Sequence, residues 1–131
     1  MVVSNSVKPI LFVGTFVGQR ETATELAQAG YGVLQVKDSD AGLKLLRKAP
    51  PRLIMVAEAK DIEATEQDIQ ALKSSAAVPL VMIGSGNESS IVRTILVGAD
   101  GYLRWPAEPA LVLSYVKALF RREPSLIDDA W

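Results

Sequence analysis

The chain has 131 residues, with 14 Lys and Arg against 15 Asp and Glu, no His and no Cys, and a formal net charge of −1. Its length suits one domain with a real core, and 49% apolar with 22% charged residues is far from a disordered composition. The missing Cys and His exclude disulfides, thiolate or imidazole metal sites and Ser-His or Cys-His nucleophile pairs. The balanced charge argues against nucleic acid as a partner, and strand-length apolar runs argue against membrane spanning or secretion, so a cytoplasmic location is expected.

The elements follow in chain order. Ile10-Leu11-Phe12-Val13 is a continuous apolar run stopped by Gly14, the pattern of a strand buried on both faces. Residues 20–29 place Leu26 and several alanines at helical spacing, and Gly30 stands where a left-handed cap ends a helix. Residues 31–36 read as a second strand. Asp38, Ser39 and Asp40 offer N-caps for a helix carrying Leu43, Leu45 and Leu46, which Pro50-Pro51 terminates. Residues 53–57 form the third strand, and a polar helix over 65–74 buries a narrow stripe of Ile69 and Leu72 while Asp61, Glu63, Glu66 and Asp68 make a solvated face. Residues 78–83 are the fourth strand. Gly84-Ser85-Gly86-Asn87 is turn chemistry leading into a helix over 89–97, which Gly98 ends. Tyr102-Leu103 is a brief fifth strand, and residues 108–121 form a last amphipathic helix.

Five strands alternating with five helices, joined by connections too long for hairpins, predict an α/β domain: a doubly wound parallel sheet of flavodoxin-like order 2-1-3-4-5. The domain is expected over 9–122, with an N-terminal tail at 1–8 and a C-terminal tail or linker at 123–131. In such folds ligands bind beyond the carboxyl ends of the strands, between the first and third.

At those strand ends the segment Gly98-Ala99-Asp100-Gly101-Tyr102-Leu103-Arg104-Trp105-Pro106 resembles the Gly-Ala-Asp-Asp-Tyr-Leu-x-Lys-Pro signature of response-regulator receiver domains. Ala29-Gly30-Tyr31, Pro51 and Val78-Pro79 recur at that family's spacings. The resemblance implies two-component signal transduction and a phosphorelay, and it also shows what is missing. A working receiver holds Mg²⁺ with an acidic pair after the first strand, since hard cations demand oxygen ligands; Gly14 and Thr15 stand there, and a one-residue slip brings only Val13. The nucleophilic carboxylate falls on Ala57, the phosphoryl-binding hydroxyl on Gly84 and the phosphate-pairing lysine on Trp105. Glu58 is adjacent, but strand alternation points it to the opposite face; Ser85 is the other nearby stand-in. No catalytic residue, metal or cofactor is expected, and the vacated pocket is expected to be apolar and partly filled. The chain is therefore read as a degenerate, non-phosphorylatable pseudo-receiver rather than an enzyme.

The resemblance further implies a cis bond before Pro106. It also implies contacts with protein partners, or a homodimer, through the face of the fourth helix, fifth strand and fifth helix, where Ile91, Ile95, Tyr102, Arg104, Leu111 and Tyr115 are the interface candidates. Trp105 has two readings, an indole filling the vacated pocket or an exposed anchor. Tyr102 also has two, the family's switch aromatic now locked or a strand-edge ring on the last helix. The Leu126-Ile127-Asp128-Asp129-Ala130 run resembles the entry to a GGDEF output domain. Two alternatives remain open: a small-molecule or nucleotide sensor built on the glycine-rich strand ends, and a receiver phosphorylated at Glu58 or Ser85.

Overall fold

Each predicted apolar run forms a strand and each periodic segment a helix. A computed structural model describes residues 8–122, with elements β1 (Ile10–Val13), α1 (Gln19–Gln28), β2 (Val33–Val36), α2 (Ser39–Lys48), β3 (Leu53–Ala57), α3 (Ile62–Ser75), β4 (Leu80–Gly84), α4 (Glu88–Leu96), β5 (Gly101–Arg104) and α5 (Pro109–Arg121). All pairings are parallel and the sheet order is β2-β1-β3-β4-β5, the flavodoxin-like order expected. The two tails and the GGDEF-like run lie outside the described residues.

Period-two alternation within uninterrupted apolar strands builds two cores at once. Ile10, Phe12, Leu53, Met55, Val81, Ile83 and Leu103 face Leu26 of α1 and Val112, Val116 and Phe120 of α5. Leu11, Val13, Ile54, Val56, Leu80 and Met82 face Leu46 of α2 and Ile69 and Leu72 of α3. Full burial stabilises each large side chain by roughly 1.5–3 kcal/mol. β2 and β5 are the edges, and Leu34 on β2 is correspondingly 43% exposed.

Element boundaries differ from the sequence reading where side chains cap or release the backbone. Tyr31 and Gly32 precede β2 rather than joining it: the Tyr31 ring packs on Phe120, and the Gly32 carbonyl accepts from the Ile10 N–H. Helix α3 begins three residues before 65 because the Asp61 carboxylate accepts the Ala64 N–H at 2.7 Å. The acids near it do not form one solvated face. Asp61 is that cap, Glu66 takes two bonds from the Arg93 guanidinium of α4 at 2.9 and 3.0 Å, and Asp68 accepts from the Ser39 hydroxyl of α2 at 2.8 Å. Of the four, Glu63 is the loosest, 3.7 Å from Arg93.

The acid of the Gly98–Pro106 segment has a structural role. Asp100 accepts from the Leu80 N–H and from Lys73 Nζ, both at 2.8 Å, tying the start of β4 and the end of α3 to the turn before β5. Gly101 follows because the Tyr115 hydroxyl occupies the place its Cβ would take.

Candidate functional site

Parallel strands deliver their carboxyl ends to one edge of the sheet, and there β1 and β3 end on Gly14 and Ala57. A Cβ on Gly14 would stand 3.2 Å from the Ala57 Cβ, so the floor between the two strand ends is a backbone and a methyl group. Above it opens a cleft of about 290 Å³, with Thr15, Lys37, Asp38, Ser39, Glu58 and Asp68 on its walls. It is neither filled nor purely apolar, contrary to the expectation from sequence. Its acids are engaged locally: Asp38 caps α2 through the Ala41 N–H and Asp68 holds Ser39. Among the described residues no three His, Cys, Asp or Glu side chains converge as a metal-holding group.

Trp105 follows neither reading in full. Its bond to Pro106 is cis, and the indole turns away from the cleft toward the β1–α1 loop, donating Nε1–H to the Val17 carbonyl at 2.6 Å. The ring meets Phe16 edge-on at 4.9 Å, and Phe16 meets Phe12 at 5.2 Å. An aromatic ladder thus runs from the core into the loop. Gln19 closes the same loop from beneath, donating to the Gly14 carbonyl and accepting from the Phe16 N–H. Where the family resemblance places an acidic pair and a lysine, this chain has a stapled apolar loop.

Glu58 takes the face that alternation gives it, although it still borders the cleft. Ile54 and Val56 turn to the α2–α3 core, the Glu58 N–H continues the ladder to the Ile83 carbonyl at 2.9 Å, and the side chain meets Tyr102, which packs on that same core. The Glu58 carboxylate passes over Gly84, accepts the Tyr102 hydroxyl at 2.7 Å and accepts the Ser85 N–H at 3.3 Å. The Tyr102 oxygen in turn accepts the Gly86 N–H at 3.1 Å. Gly84 admits this arrangement because any Cβ there would overlap the Glu58 carboxyl and the Tyr102 hydroxyl. Burial pushes the Tyr102 hydroxyl up to about 12, and the Glu58 carboxylate adds to the rise. Tyr102 therefore packs toward α3 and α4 rather than on the last helix, with its hydroxyl held inward.

The remaining interface candidates divide. Tyr115 packs on the α1–α5 core, and burial raises its hydroxyl pKa. Arg104 is exposed and lies against Gly86. Ile91 is half-buried, whereas Ile95 and Leu111 are 42% and 58% exposed. Sequence reasoning missed Val92 and Leu96, 51% and 78% exposed. The buried residue of α4 is Thr94, whose hydroxyl donates to the Ser90 and Ile91 carbonyls. This helix turns a threonine inward and its aliphatics outward, and the 92, 95, 96 spacing could have revealed that stripe.

The sheet order and the loops at its carboxyl edge define a CheY-like α/β domain. The match to solved structures is close in shape: a two-component response regulator from Clostridium difficile superposes with a TM-score of 0.79 at 18% identity, over 88% of this chain and 97% of that one. The Vibrio cholerae chemotaxis protein CheY4 gives 0.74 at 21% identity, over 86% and 98%. No family model matches the chain. Among curated proteins it is 31% identical over 109 residues to the phosphate regulon transcriptional regulatory protein PhoB of Klebsiella pneumoniae, a match covering 79% of this chain and 48% of that protein. The chain spans about half the length of the curated relatives it matches. Together these likenesses show that the chain has the fold of response-regulator receiver domains. Among the described residues no helix is long and apolar enough to cross a membrane.

Proposed function

We propose that the chain is a pseudo-receiver, a regulatory domain that keeps the receiver scaffold and acts through protein contacts without phosphoryl chemistry. The observation that carries this reading is the meeting of Gly14 and Ala57 at the ends of β1 and β3, where phosphoryl transfer would need oxygen ligands and a carboxylate nucleophile. Two further points agree. The residue in the lysine position, Trp105, is committed to Val17 and Phe16. Both Glu58 oxygens are engaged, by Tyr102 and by the Ser85 N–H, which disfavours Glu58 as a substitute acceptor. The domain is regulatory and not an enzyme.

Contact is made through α4, β5 and α5, by self-association or with a protein partner. Val92, Ile95, Leu96 and Leu111 offer the apolar surface, and loss of association in Leu96→Glu is the expected result by light scattering. The curated relatives are about twice as long as the match, which supports a larger regulator containing this domain. A GGDEF output domain remains the sequence-based candidate for the segment after 122.

Incubation with acetyl phosphate and Mg²⁺, followed by intact-mass spectrometry, tests the reading. An unmodified mass is expected, and a stoichiometric adduct on Glu58 or Ser85 would overturn it. The open cleft with Thr15, Lys37 and Ser39 on its walls favours a second reading, a small-molecule or nucleotide sensor, which a saturable thermal shift with nucleotides would support.

A further inference from the structure

Three chain segments that are distant in sequence meet at one hydrogen-bonded point. The end of β3 contributes the Glu58 carboxylate, β5 contributes the Tyr102 hydroxyl, and the loop entering α4 contributes the Ser85 and Gly86 N–H groups. The Tyr102 hydroxyl both donates and accepts there, so each bond polarises the next. The carboxylate makes the Tyr102 bond charge-assisted, consistent with its 2.7 Å length. The φ of Gly84 is not positive, so its backbone conformation does not call for glycine, and the space it leaves is the space these two side chains occupy. The loop they hold runs directly into Asn87, whose side chain caps the first turn of α4 through the Ser89 and Ser90 N–H groups.

We infer that Glu58, Tyr102 and Gly84 form a built-in latch that fixes the entry of α4 and so presents its outward Val92, Ile95 and Leu96 in one orientation. Glu58 is a positioning residue in this device, acting on the α4 surface through Tyr102 and Gly86. At its far end α4 is tied to α3 by the Arg93–Glu66 pair, so releasing the latch frees the first turn and pivots the helix about the second. The inference rests on the reading of α4 as part of the contact face. It adds that the orientation of that face is set internally, by a carboxylate of the same chain.

The test uses the full chain with Tyr102→Phe, Glu58→Ala and the shape-conserving Glu58→Gln, together with the double variant Glu58→Ala, Tyr102→Phe. Amide exchange and methyl NMR spectra are recorded for each. Loss of one such bond is expected to speed exchange at Gly86 and Ser85 by roughly tenfold. The methyl resonances of Ile91, Val92, Ile95 and Leu96 are expected to shift along a common direction in the single variants, with no further change in the double. Glu58→Gln, which retains an acceptor but no charge, is expected to fall between wild type and Glu58→Ala. Changes confined to Ser85 and Gly86, or independent additive effects in the double variant, would overturn the latch, since a merely local bond would not move α4. No phosphoryl donor is present, so unmoved α4 methyls would leave the pseudo-receiver reading standing, whereas a phosphoryl adduct on the wild-type chain would refute that reading alone.

Discussion

The Tyr102 hydroxyl donates to the Glu58 carboxylate at 2.7 Å across a strand end, Gly84, that has no side chain to obstruct it. A Cβ there would displace the far ends of two side chains rather than any backbone. Gly84→Ala is therefore expected to cost about 1–3 kcal/mol, the worth of the hydrogen bonds it breaks. Urea denaturation of Gly84→Ala, Tyr102→Phe and their combination checks this, the combined variant being little worse than the worse single one because both remove the same bonds.

Alkaline pH should weaken the fold through the same hydroxyl. Its pKa rises from the ordinary 10 to about 12 on folding, chiefly by burial. The folded chain thus holds this proton more tightly than the unfolded chain does. The associated stability is complete below about pH 10 and is lost as pH climbs through about 12. The urea midpoint measured between those limits is expected to fall in the wild type and to fall less in Tyr102→Phe. Tyr115, raised in the same direction by burial, leaves a residual slope.

Much of this arrangement was legible in the sequence, and the remainder was hidden for identifiable reasons. The runs Ile10–Val13 and Leu53–Ala57 announced buried parallel strands because apolar side chains are required on both faces of such a sheet. The Gly98–Pro106 segment marked the fifth strand and its neighbouring turns. The face of Glu58 followed from alternation, but its partners were not readable, since the Tyr102 hydroxyl and the Ser85 N–H come from two distant segments. Trp105 bonds a carbonyl 88 positions away, a distance that no local pattern encodes. The early start of α3 depended on the Asp61 cap, whereas the sequence reading assigned that acid to a solvated face.

Thr22 of α1 is fully buried, and its hydroxyl has no hydrogen-bond partner. A valine has nearly the same shape and no polar atom to satisfy. Thr22→Val is expected to stabilise the chain by about 1 kcal/mol, the relief of an unpaired buried hydroxyl. A shift of the urea midpoint to higher concentration with unchanged slope would register it.

Restoring the nucleophile alone should not restore phosphorylation. An aspartate introduced as Ala57→Asp would face Gly14 with no acidic pair to hold Mg²⁺, and Trp105 supplies no ammonium to receive the phosphoryl charge. Intact mass after acetyl phosphate and Mg²⁺ is expected to match the untreated variant.

The most direct test is the amide spectrum of the wild-type chain titrated with Mg²⁺ and beryllofluoride, the mimic of a phosphorylated receiver. No saturable shift is expected at Gly14, Thr15, Ala57, Glu58 or Ser85, with α4 unchanged throughout. Saturable shifts converging on those residues and passing into α4 would contradict the account.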